Sequence, residues 1–497
     1  MSSNTPAGTT RQEAADGLPR FPPGFFFGAA TASYQIEGAH DADGRGPSIW
    51  DTYCRTPGKV ADGATGDVAC DHYHRYREDV ALLKQLGADS YRFSVAWPRV
   101  QPGGSGPVNP AGLDFYDRLV DELLAAGIEP AATLYHWDLP QELEDQGGWR
   151  VRSTAERFAE YTGMVVERLG DRVGRWMTLN EPFCAAFVGY AVGRHAPGAQ
   201  EGAGAIAASH HLLVAHGLAT RVLREAGARE VGIALNPDHL VPASSSAEDA
   251  AAVRRAGVLH NDIWLDPLFA GRYPEHERET WGPLLDAVPR LDGDLELIGQ
   301  PLDFVGVNFY RPITVSDTPH REPDPARRTA VDIGAAESWQ GDVRTTTMGW
   351  PVVPATFTDL LTELVARYPG LPPVVITENG SAEADTVSAD GRVHDTDRVE
   401  YLHGHLVALA EAVERGVDVR GYYVWSLLDN FEWAFGYDRR FGIVRVDYDT
   451  LTRTPKDSYH WYRELIARHR AADGPASTAR TAPASGEDGH GTPNKES

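Results

Sequence analysis

Two glutamates in this chain each follow a short apolar run of the kind that forms buried strands. Glu181 follows the run 176–180 and precedes a proline, and Glu378 follows the run 374–377 and precedes Asn-Gly. A carboxyl that ends a strand lies on the rim of a sheet. Two carboxyls that face each other across a cleft can together cleave a glycosidic bond, since one protonates the leaving oxygen and the other attacks the sugar carbon.

The elements that must position these glutamates alternate along the chain. Short apolar runs predict strands, and apolar residues at helical spacing between them predict helices. The predicted strands are 25–30, 90–95, 130–135, 175–180, 231–236, 304–309, 374–378 and 419–425. The predicted helices are 78–86, 113–126, 154–169, 205–226, 356–368 and 397–415. Buried strands that alternate with amphipathic helices indicate parallel pairing, and eight such units predict a single closed (β/α)₈ TIM barrel. The alternative is a doubly wound open sheet, but no Gly-x-Gly-x-x-Gly motif opens a helix.

A barrel of this type carries its catalytic groups at the carboxyl ends of the strands. Polar and aromatic residues gather at those ends of the predicted strands. They are Gln35, Arg92, His136, Trp137, Asn180, Glu181, Asn308, Tyr310, Glu378, Trp425, Glu432 and Trp433. The segment 311–350 is rich in Pro, Asp and Arg, which predicts a long loop on the catalytic rim.

Composition narrows the classes of partner. The net charge of −25 argues against nucleic acids and anionic membranes as partners, and it disfavours phosphorylated substrates. Residues 1–20 and 472–497 are polar and small, so we expect disordered tails around a catalytic barrel at 21–471. No apolar run approaches the roughly 18 residues of a membrane helix, and no secretory apolar segment is evident in the first twenty residues. A cytoplasmic location is therefore expected.

Seven segments, in order, resemble those of family-one glycoside hydrolases, the β-glucosidase family. They are FFFGAATASYQIEGA, SYRFSVAWPR, TLYHWDLPQ, TLNEP, VNFY, VITENG and SLLDNFEWAFGY. Together they span the chain from Phe25 to about Trp461. The resemblance implies a retaining β-glucosidase that hydrolyses terminal non-reducing β-D-glucosyl residues through a glycosyl-enzyme intermediate. It also implies a place in carbohydrate metabolism and cellulose degradation, with transglycosylation and side activity on β-galactosides and β-fucosides.

The same resemblance implies a role for each matching residue. Glu181 matches the general acid/base, and Glu378 matches the nucleophile. Trp425 matches the platform beneath the sugar, and Trp350 matches an aromatic residue on the aglycone side. The residues that match those gripping the sugar hydroxyls are Gln35, His136, Asn180, Glu432 and Trp433, and those supporting the nucleophile are Arg92, Asn308 and Tyr310. Because Glu181 is not Gln and Glu432-Trp433 is intact, an unphosphorylated sugar and a self-contained acid are expected.

Elementary electrostatics agrees with these roles. Arg92 and the phenol of Tyr310 should stabilise the ionised form of Glu378, while burial and the charge of Glu378 should raise the pKa of Glu181. Once Glu378 is esterified, its charge vanishes and Glu181 should ionise more easily. Glu432 has no basic partner in its own segment, and we expect it to accept hydrogen bonds from sugar hydroxyls as a carboxylate.

Two other classes of function are less consistent with the sequence. His72-Tyr73-His74 has the spacing of some metal-dependent barrel hydrolases, but it leads into a helix and does not leave a strand. A non-catalytic sugar-binding protein would have lost one of the two glutamates. The cysteines, Cys54, Cys70 and Cys184, form no disulfide framework or zinc spacing, so no metal or organic cofactor is expected. The preferred sugar, the aglycone, the chain length, glucose tolerance and any homo-oligomer stay open.

Overall fold

Eight parallel strands close into a barrel in the computed structural model, which describes residues 17–318, 329–338 and 342–473. Apart from their residues 17–20 and 472–473, the two predicted tails lie outside the described residues. We number the barrel strands β1 to β8. They are β1 (Phe26–Ala30), β2 (Ser90–Ser94), β3 (Glu129–Tyr135), β4 (Arg175–Asn180), β5 (Glu230–Leu235), β6 (Phe304–Asn308), β7 (Val374–Asn379) and β8 (Val419–Trp425). Each strand pairs in parallel with the next, and β8 pairs with β1, so the predicted (β/α)₈ barrel is confirmed.

The long helices follow the strands. They are α1 (His72–Leu86), α2 (Pro110–Ala125), α3 (Arg152–Leu169), α4 (Ala203–Glu225), α5 (Ala247–Gly257), α6 (Ala355–Arg367), α7 (Thr396–Glu414) and α8 (Asp457–Asp473). Six of them were predicted, but α5 and α8 were not. The sequence of α5 is mostly alanine and charge, so its start is marked chiefly by Ser246, whose hydroxyl accepts a bond from the backbone N–H of Asp249. None of the helices in the described part of the chain has the length and apolar character that a membrane crossing requires.

The strands are buried on both faces, which is why they are apolar over their whole length. All residues of β4 and β7 are buried. Alternate residues point inward, and they form an apolar cluster of their own within the barrel that includes Phe26, Met177 and Tyr423. Trp425 lies two residues beyond Tyr423 and belongs to the same cluster, so this apolar floor ends at the rim where the strands carry polar residues.

The predicted rim loop contributes to a small sheet outside the barrel. Its strands are Leu240–Pro242, Ile313–Asp317 and Ala335–Ser338. The last two pair antiparallel, and Val315 lies opposite Glu337. The segments 319–328 and 339–341 of this loop lie outside the described residues.

A buried ionic network anchors the loop that follows β8. The Lys456 ammonium donates to Asp429 at 2.7 Å and to Asp385 at 2.5 Å. Arg440 donates to the other oxygen of Asp429 at 2.7 Å. Because removal of one member would leave buried charge uncompensated, the network holds this loop in one position. The same loop carries Glu432 and Trp433.

Candidate active site

Glu378 ends β7 with two donors on its carboxylate. Arg92 of β2 donates to Oε1 at 2.7 Å, and the Tyr310 hydroxyl donates to Oε2 at 2.6 Å. Both bonds favour the ionised form of this carboxyl, which is 3% exposed. A Cβ at Gly380 would lie 1.7 Å from the carbonyl oxygen of Trp425. Glycine is therefore required where the chain leaves the nucleophile motif.

Glu181 follows β4 in a different environment. Its backbone N–H donates to the carbonyl of Ala234 at 2.9 Å, and its φ is +40°, in the left-handed region. Asn308 donates from Nδ2 to Oε1 at 2.7 Å, and the Cys184 thiol lies 3.2 Å from Oε2. No cation contacts this carboxyl among the described residues. Neutral donors leave Glu181 freer than Glu378 to hold a proton.

The pKa shifts follow from these surroundings. Burial raises the pKa of the Glu181 carboxyl to about 8, and the charge of Glu378 adds to the rise. Burial also raises the pKa of Glu378, but Arg92 and the Tyr310 hydroxyl oppose that rise. Glu378 is therefore the carboxyl that ionises first, and Glu181 keeps its proton at neutral pH. The two groups are in the charge states that an attacking carboxylate and a proton donor require.

Two side-chain amides connect the glutamates. Asn180 accepts at Oδ1 from Arg92 at 2.6 Å and from Asn308 at 3.0 Å. The same Nδ2 of Asn308 donates to Glu181, so an unbroken path of hydrogen bonds joins Glu181 to the guanidinium that holds Glu378. We call Asn180 and Asn308 the amide brace. The brace couples the position of Glu181 to that of Glu378, although the two residues are far apart in the sequence.

The orientation of Asn180 also determines the protonation of His136. Since Oδ1 of Asn180 accepts two bonds, its Nδ2 must face Nε2 of His136, which lies 3.2 Å away and accepts. Burial, and then the charge of Arg92, lower the pKa of His136 well below its usual value, so the ring is neutral. Its proton is therefore on Nδ1. That buried atom has no partner among the described residues, which leaves it available as a donor.

Glu432 and Gln35 lie together near the loop after β8. Gln35 donates from Nε2 to the carbonyl of Phe431 at 2.9 Å and contacts Glu432 Oε2 at 3.4 Å. Its Oε1 is buried without a partner among the described residues. Burial, and then the charges of Glu378 and Glu181, raise the pKa of Glu432 to about 8. The sequence predicts an ionised Glu432, whereas these surroundings favour its protonated form at neutral pH.

Aromatic rings form the walls next to these polar groups. The Trp425 ring is stacked with the His136 ring, with 5.8 Å between the ring centroids and 11° between the ring planes. Trp433 packs against Trp50 at 4.5 Å and Trp137 at 4.7 Å. Trp137 and Trp433, like Glu181, have positive φ values, which costs energy and persists only where the surrounding structure imposes it. Flat, rigid aromatic walls beside hydrogen-bonding groups suit the faces of a sugar ring.

These side chains surround a cavity of about 390 Å³, a size typical of small-molecule sites. Most of the predicted site residues line it: His136, Glu181, Asn308, Tyr310, Trp350, Glu378, Trp425, Glu432 and Trp433. Gln35, Arg92 and Asn180 lie next to these lining residues and are hydrogen-bonded to them. The structure therefore brings together, around one cavity, all twelve residues to which the resemblance gives a role.

Sequence reasoning missed several lining residues. The sequence predicts only that Cys184 takes no part in a disulfide framework or a zinc site, yet its thiol contacts Glu181. Its place three residues after the glutamate, at the start of the π-helical segment Cys184–Val192, is the signal that could have found it. Phe183, His195 and His260 also line the cavity, and nothing in their local sequence distinguished them.

The histidines of the metal alternative are held separately. His72 is bonded to Asp79 at 2.8 Å, and Asp79 in turn accepts from Arg453 at 2.9 Å. His74 is bonded to Asp71 at 2.6 Å on the surface. Within the ranges that the structure describes, no group of three or more His, Cys, Asp or Glu is arranged to hold a metal ion.

Comparisons with known proteins match nearly the whole chain. The model of the family "Glycosyl hydrolase family 1" matches residues 18–471. The thermostable β-glucosidase B of Thermobispora bispora is 50% identical over 458 residues, which are 91% of this chain and 92% of that protein. A bifunctional β-D-glucosidase/β-D-fucosidase of Bifidobacterium breve is 47% identical over 463 residues, 91% of this chain and 99% of that protein.

The fold comparison agrees. The crystal structure of a psychrophilic β-glucosidase from Micrococcus antarcticus superposes with a TM-score of 0.87 at 49% identity, covering 92% of this chain and 99% of that one. The family match, residues 18–471, includes both glutamate motifs and every barrel strand. The chain belongs to glycosyl hydrolase family 1.

Proposed function

We propose that this protein is a retaining β-glucosidase that releases terminal β-D-glucosyl residues from non-reducing ends. One observation carries the proposal. Two buried glutamates line one cavity, and their surroundings give them opposite charge states: Glu378 with a guanidinium and a phenol, Glu181 with neutral donors and a pKa of about 8. The names of the β-glucosidases that share about half of its sequence support the same activity.

In the first step, the ionised Glu378 attacks the anomeric carbon from the face opposite the leaving group. The bond to the glycosidic oxygen breaks, and that oxygen takes the proton of Glu181. The product is a glycosyl ester on Glu378 and a free alcohol. The Arg92 and Tyr310 bonds hold the attacking carboxylate in a single orientation.

Esterification then changes the acid into a base. The ester carries no charge, so the repulsion that raises the pKa of Glu181 is removed and Glu181 ionises more easily. The ionised Glu181 takes a proton from water, whose oxygen attacks the anomeric carbon and releases Glu378. Two displacements restore the original β configuration. A sugar hydroxyl in place of water gives transglycosylation.

Recognition of the glycone depends on groups without protein partners. Nδ1 of His136 can donate to a hydroxyl, and Oε1 of Gln35 can accept from one. The Glu432 carboxyl lines the cavity near Gln35 and can bond two adjacent hydroxyls. Trp425 offers its ring face below the sugar. Side activity on β-fucosides and β-galactosides is part of the proposal, and the bifunctional relative supports the first of these.

The catalytic unit proposed is residues 21–471, which nearly coincides with the family match at 18–471. A protein trimmed to these residues should retain the kcat/KM of the full chain within about twofold. A large loss would show that a terminal segment takes part.

The test combines the configuration of the first product with the identity of the residue that forms the covalent intermediate. Proton NMR during hydrolysis of a nitrophenyl β-glucoside should show β-glucose as the first product. A 2-deoxy-2-fluoro-β-glucoside, which slows the second step, should leave a mass adduct on the peptide that contains Glu378. Glu378→Gln serves as the matched control and should take up no adduct. α-Glucose as the first product, or an adduct elsewhere, would refute the mechanism.

A further inference from the structure

Five charged residues from segments that follow the barrel strands also line the cavity. They are Arg194, Asp238, His260, Arg311 and Glu337, and we call them the outer cluster. The cluster lies on the Glu181 side, because Phe183, two residues after Glu181, stacks on His260 with ring centroids 4.7 Å apart. Glu181 protonates the leaving group in the proposed function. The outer cluster therefore faces the aglycone, not the sugar being cleaved.

Three residues of the outer cluster, His260, Asp238 and Glu337, form a hydrogen-bonded ion group. His260 is bonded to Asp238 at 2.8 Å and to Glu337 at 2.7 Å. Burial alone would lower the pKa of His260, but these two carboxylates raise it to about 10. Burial would raise the pKa of Glu337, but His260, and then the charges of Arg311 and Arg194, lower it to about 2. His260 is thus a cation across the neutral range.

The two arginines of the cluster are not paired. Neither Arg194 nor Arg311 has a carboxylate partner within 4.0 Å among residues 17–318, 329–338 and 342–473. The only polar contact of the Arg311 guanidinium there is the carbonyl of Pro312 at 3.5 Å. Its guanidinium also lies 5.7 Å from the ring centre of Trp350. Three cations thus face two carboxylates, which leaves one net positive charge at the cavity mouth of a chain whose net charge is −25.

We propose, on the basis of the β-glucosidase function, that Arg311 and Arg194 select β-glucosides whose aromatic aglycone carries a carboxylate. Trp350 provides the ring face on which an aromatic aglycone stacks, and Arg311 lies beside that face. A guanidinium binds a carboxylate through two parallel hydrogen bonds, which neutral aglycones cannot form. The phenolic oxygen of such a substrate points to Glu181, while its carboxylate points outward to the arginines.

The experiment compares two substrates in each of four proteins. The substrates are the β-glucosides of 3-hydroxybenzoate and of its methyl ester, which differ in the charge of the aglycone and by one methyl group. The proteins are the parent, Arg311→Gln, Arg194→Gln and the control Arg157→Gln. Arg157 is an exposed arginine of α3 paired with Glu160, so its variant loses the same charge elsewhere on the surface. The quantity measured is the ratio of kcat/KM for the carboxylate to that for the ester.

The ratio should fall about tenfold or more in Arg311→Gln, in keeping with the loss of the charge-assisted hydrogen bonds of the guanidinium. A smaller fall is expected in Arg194→Gln, because Arg194 is exposed. Arg157→Gln should keep the ratio of the parent. In the parent, about 0.5 M salt should lower the ratio roughly severalfold, since screening weakens partly exposed ion pairs.

The results separate this inference from the function on which it rests. Equal ratios in the parent, Arg311→Gln and Arg194→Gln, with the ester hydrolysed normally, would overturn the selection of carboxylates and leave the β-glucosidase function standing. A parent that hydrolyses neither these glucosides nor nitrophenyl β-glucoside would overturn both. An equal fall in Arg157→Gln would show that overall charge, and not the outer cluster, determines the ratio.

Discussion

The Tyr310 hydroxyl offers a test of how Glu378 is kept ionised. It donates to Oε2 of Glu378 at 2.6 Å. Burial and the nearby charge of Glu378 raise the pKa of this phenol well above its usual value, so it stays a donor throughout the working pH range. The ring packs against Trp350 at 5.3 Å and Phe441 at 6.0 Å. Tyr310→Phe keeps these ring contacts and removes one hydrogen bond.

The magnitude follows from the type of bond lost. A hydrogen bond to a charged group contributes about 1.5–3 kcal/mol, and one pKa unit corresponds to about 1.4 kcal/mol, so the pKa of Glu378 should rise by about 1–2 units. Glu378 must be ionised to attack, and activity is lost as pH falls through its pKa. The acid limb of kcat/KM should therefore move to higher pH by about 1–2 units. The basic limb, where Glu181 loses its proton near pH 8, should stay in place.

The assay measures kcat/KM for nitrophenyl β-glucoside at pH values from about 4 to about 10, in the parent and in the variant. Tyr459→Phe is the matched control, because its buried hydroxyl donates one bond to the carbonyl of Leu82, far from the cavity. The control should keep both limbs of the parent. If the acid limb of Tyr310→Phe moved by less than about 0.3 unit, the phenol would not stabilise the carboxylate and the reasoning would fail.

Four further outcomes are expected. Glu181→Ala should slow alkyl glucosides by about 10²–10⁴-fold, yet spare the first step for dinitrophenyl glucoside, whose leaving group needs no proton; equal losses on both substrates would contradict the acid assignment. Glu378→Ala should lose turnover by orders of magnitude, and added azide should then yield an α-glucosyl azide, detectable by NMR; a β-azide would place the nucleophile elsewhere. Glu432→Ala should lower kcat/KM for nitrophenyl glucoside by about 5- to 150-fold, since two hydrogen bonds of a neutral carboxyl, about 0.5–1.5 kcal/mol each, are lost, and 6-phosphoglucosides should be poor substrates of the parent because a phosphate adds negative charge beside these buried carboxyls; a loss within about twofold would refute the placement. Lys456→Met should lower the free energy of unfolding by about 3–5 kcal/mol in urea titrations, because two buried ion pairs are broken and Asp385 and Asp429 keep only Arg398 and Arg440 as cationic partners; a change under about 1 kcal/mol would show that the network relaxes.

The barrel strands were predictable because a buried strand is a continuous apolar run in the local sequence. The bounds predicted for the fourth and eighth strands, 175–180 and 419–425, coincide with those of β4 and β8. A parallel strand covered by helices is apolar on both faces, and the polar residue that follows it marks the rim. The α5 helix was missed because all but one of its apolar residues are alanines, which mark a buried helical face only weakly. The α8 helix was missed although Tyr459, Tyr462, Leu465 and Ile466 recur at helical spacing and are buried.

Side-chain contacts across the barrel could not be predicted from local sequence patterns. Arg92 and Glu378 are 286 residues apart in the chain, and Asn308 and Glu181 are 127 apart. No local pattern specifies such contacts, so the family resemblance implied the first pair and nothing indicated the second. The contact of Cys184 with Glu181 and the outer cluster around His260 were likewise absent from the sequence reasoning.

The sequence by itself determined the fold class, the order of the strands and the types of residue that end them. These features depend on local periodicity and on the burial of whole segments. Only the tertiary structure decided the charge of each carboxyl. Glu181, Glu378 and Glu432 are the same residue type, yet burial and neighbours from distant segments raise the pKa of Glu181 and Glu432 to about 8, while Arg92 and Tyr310 hold Glu378 as the carboxylate. Electrostatic free energy depends on distance and desolvation in three dimensions, which a linear pattern does not encode.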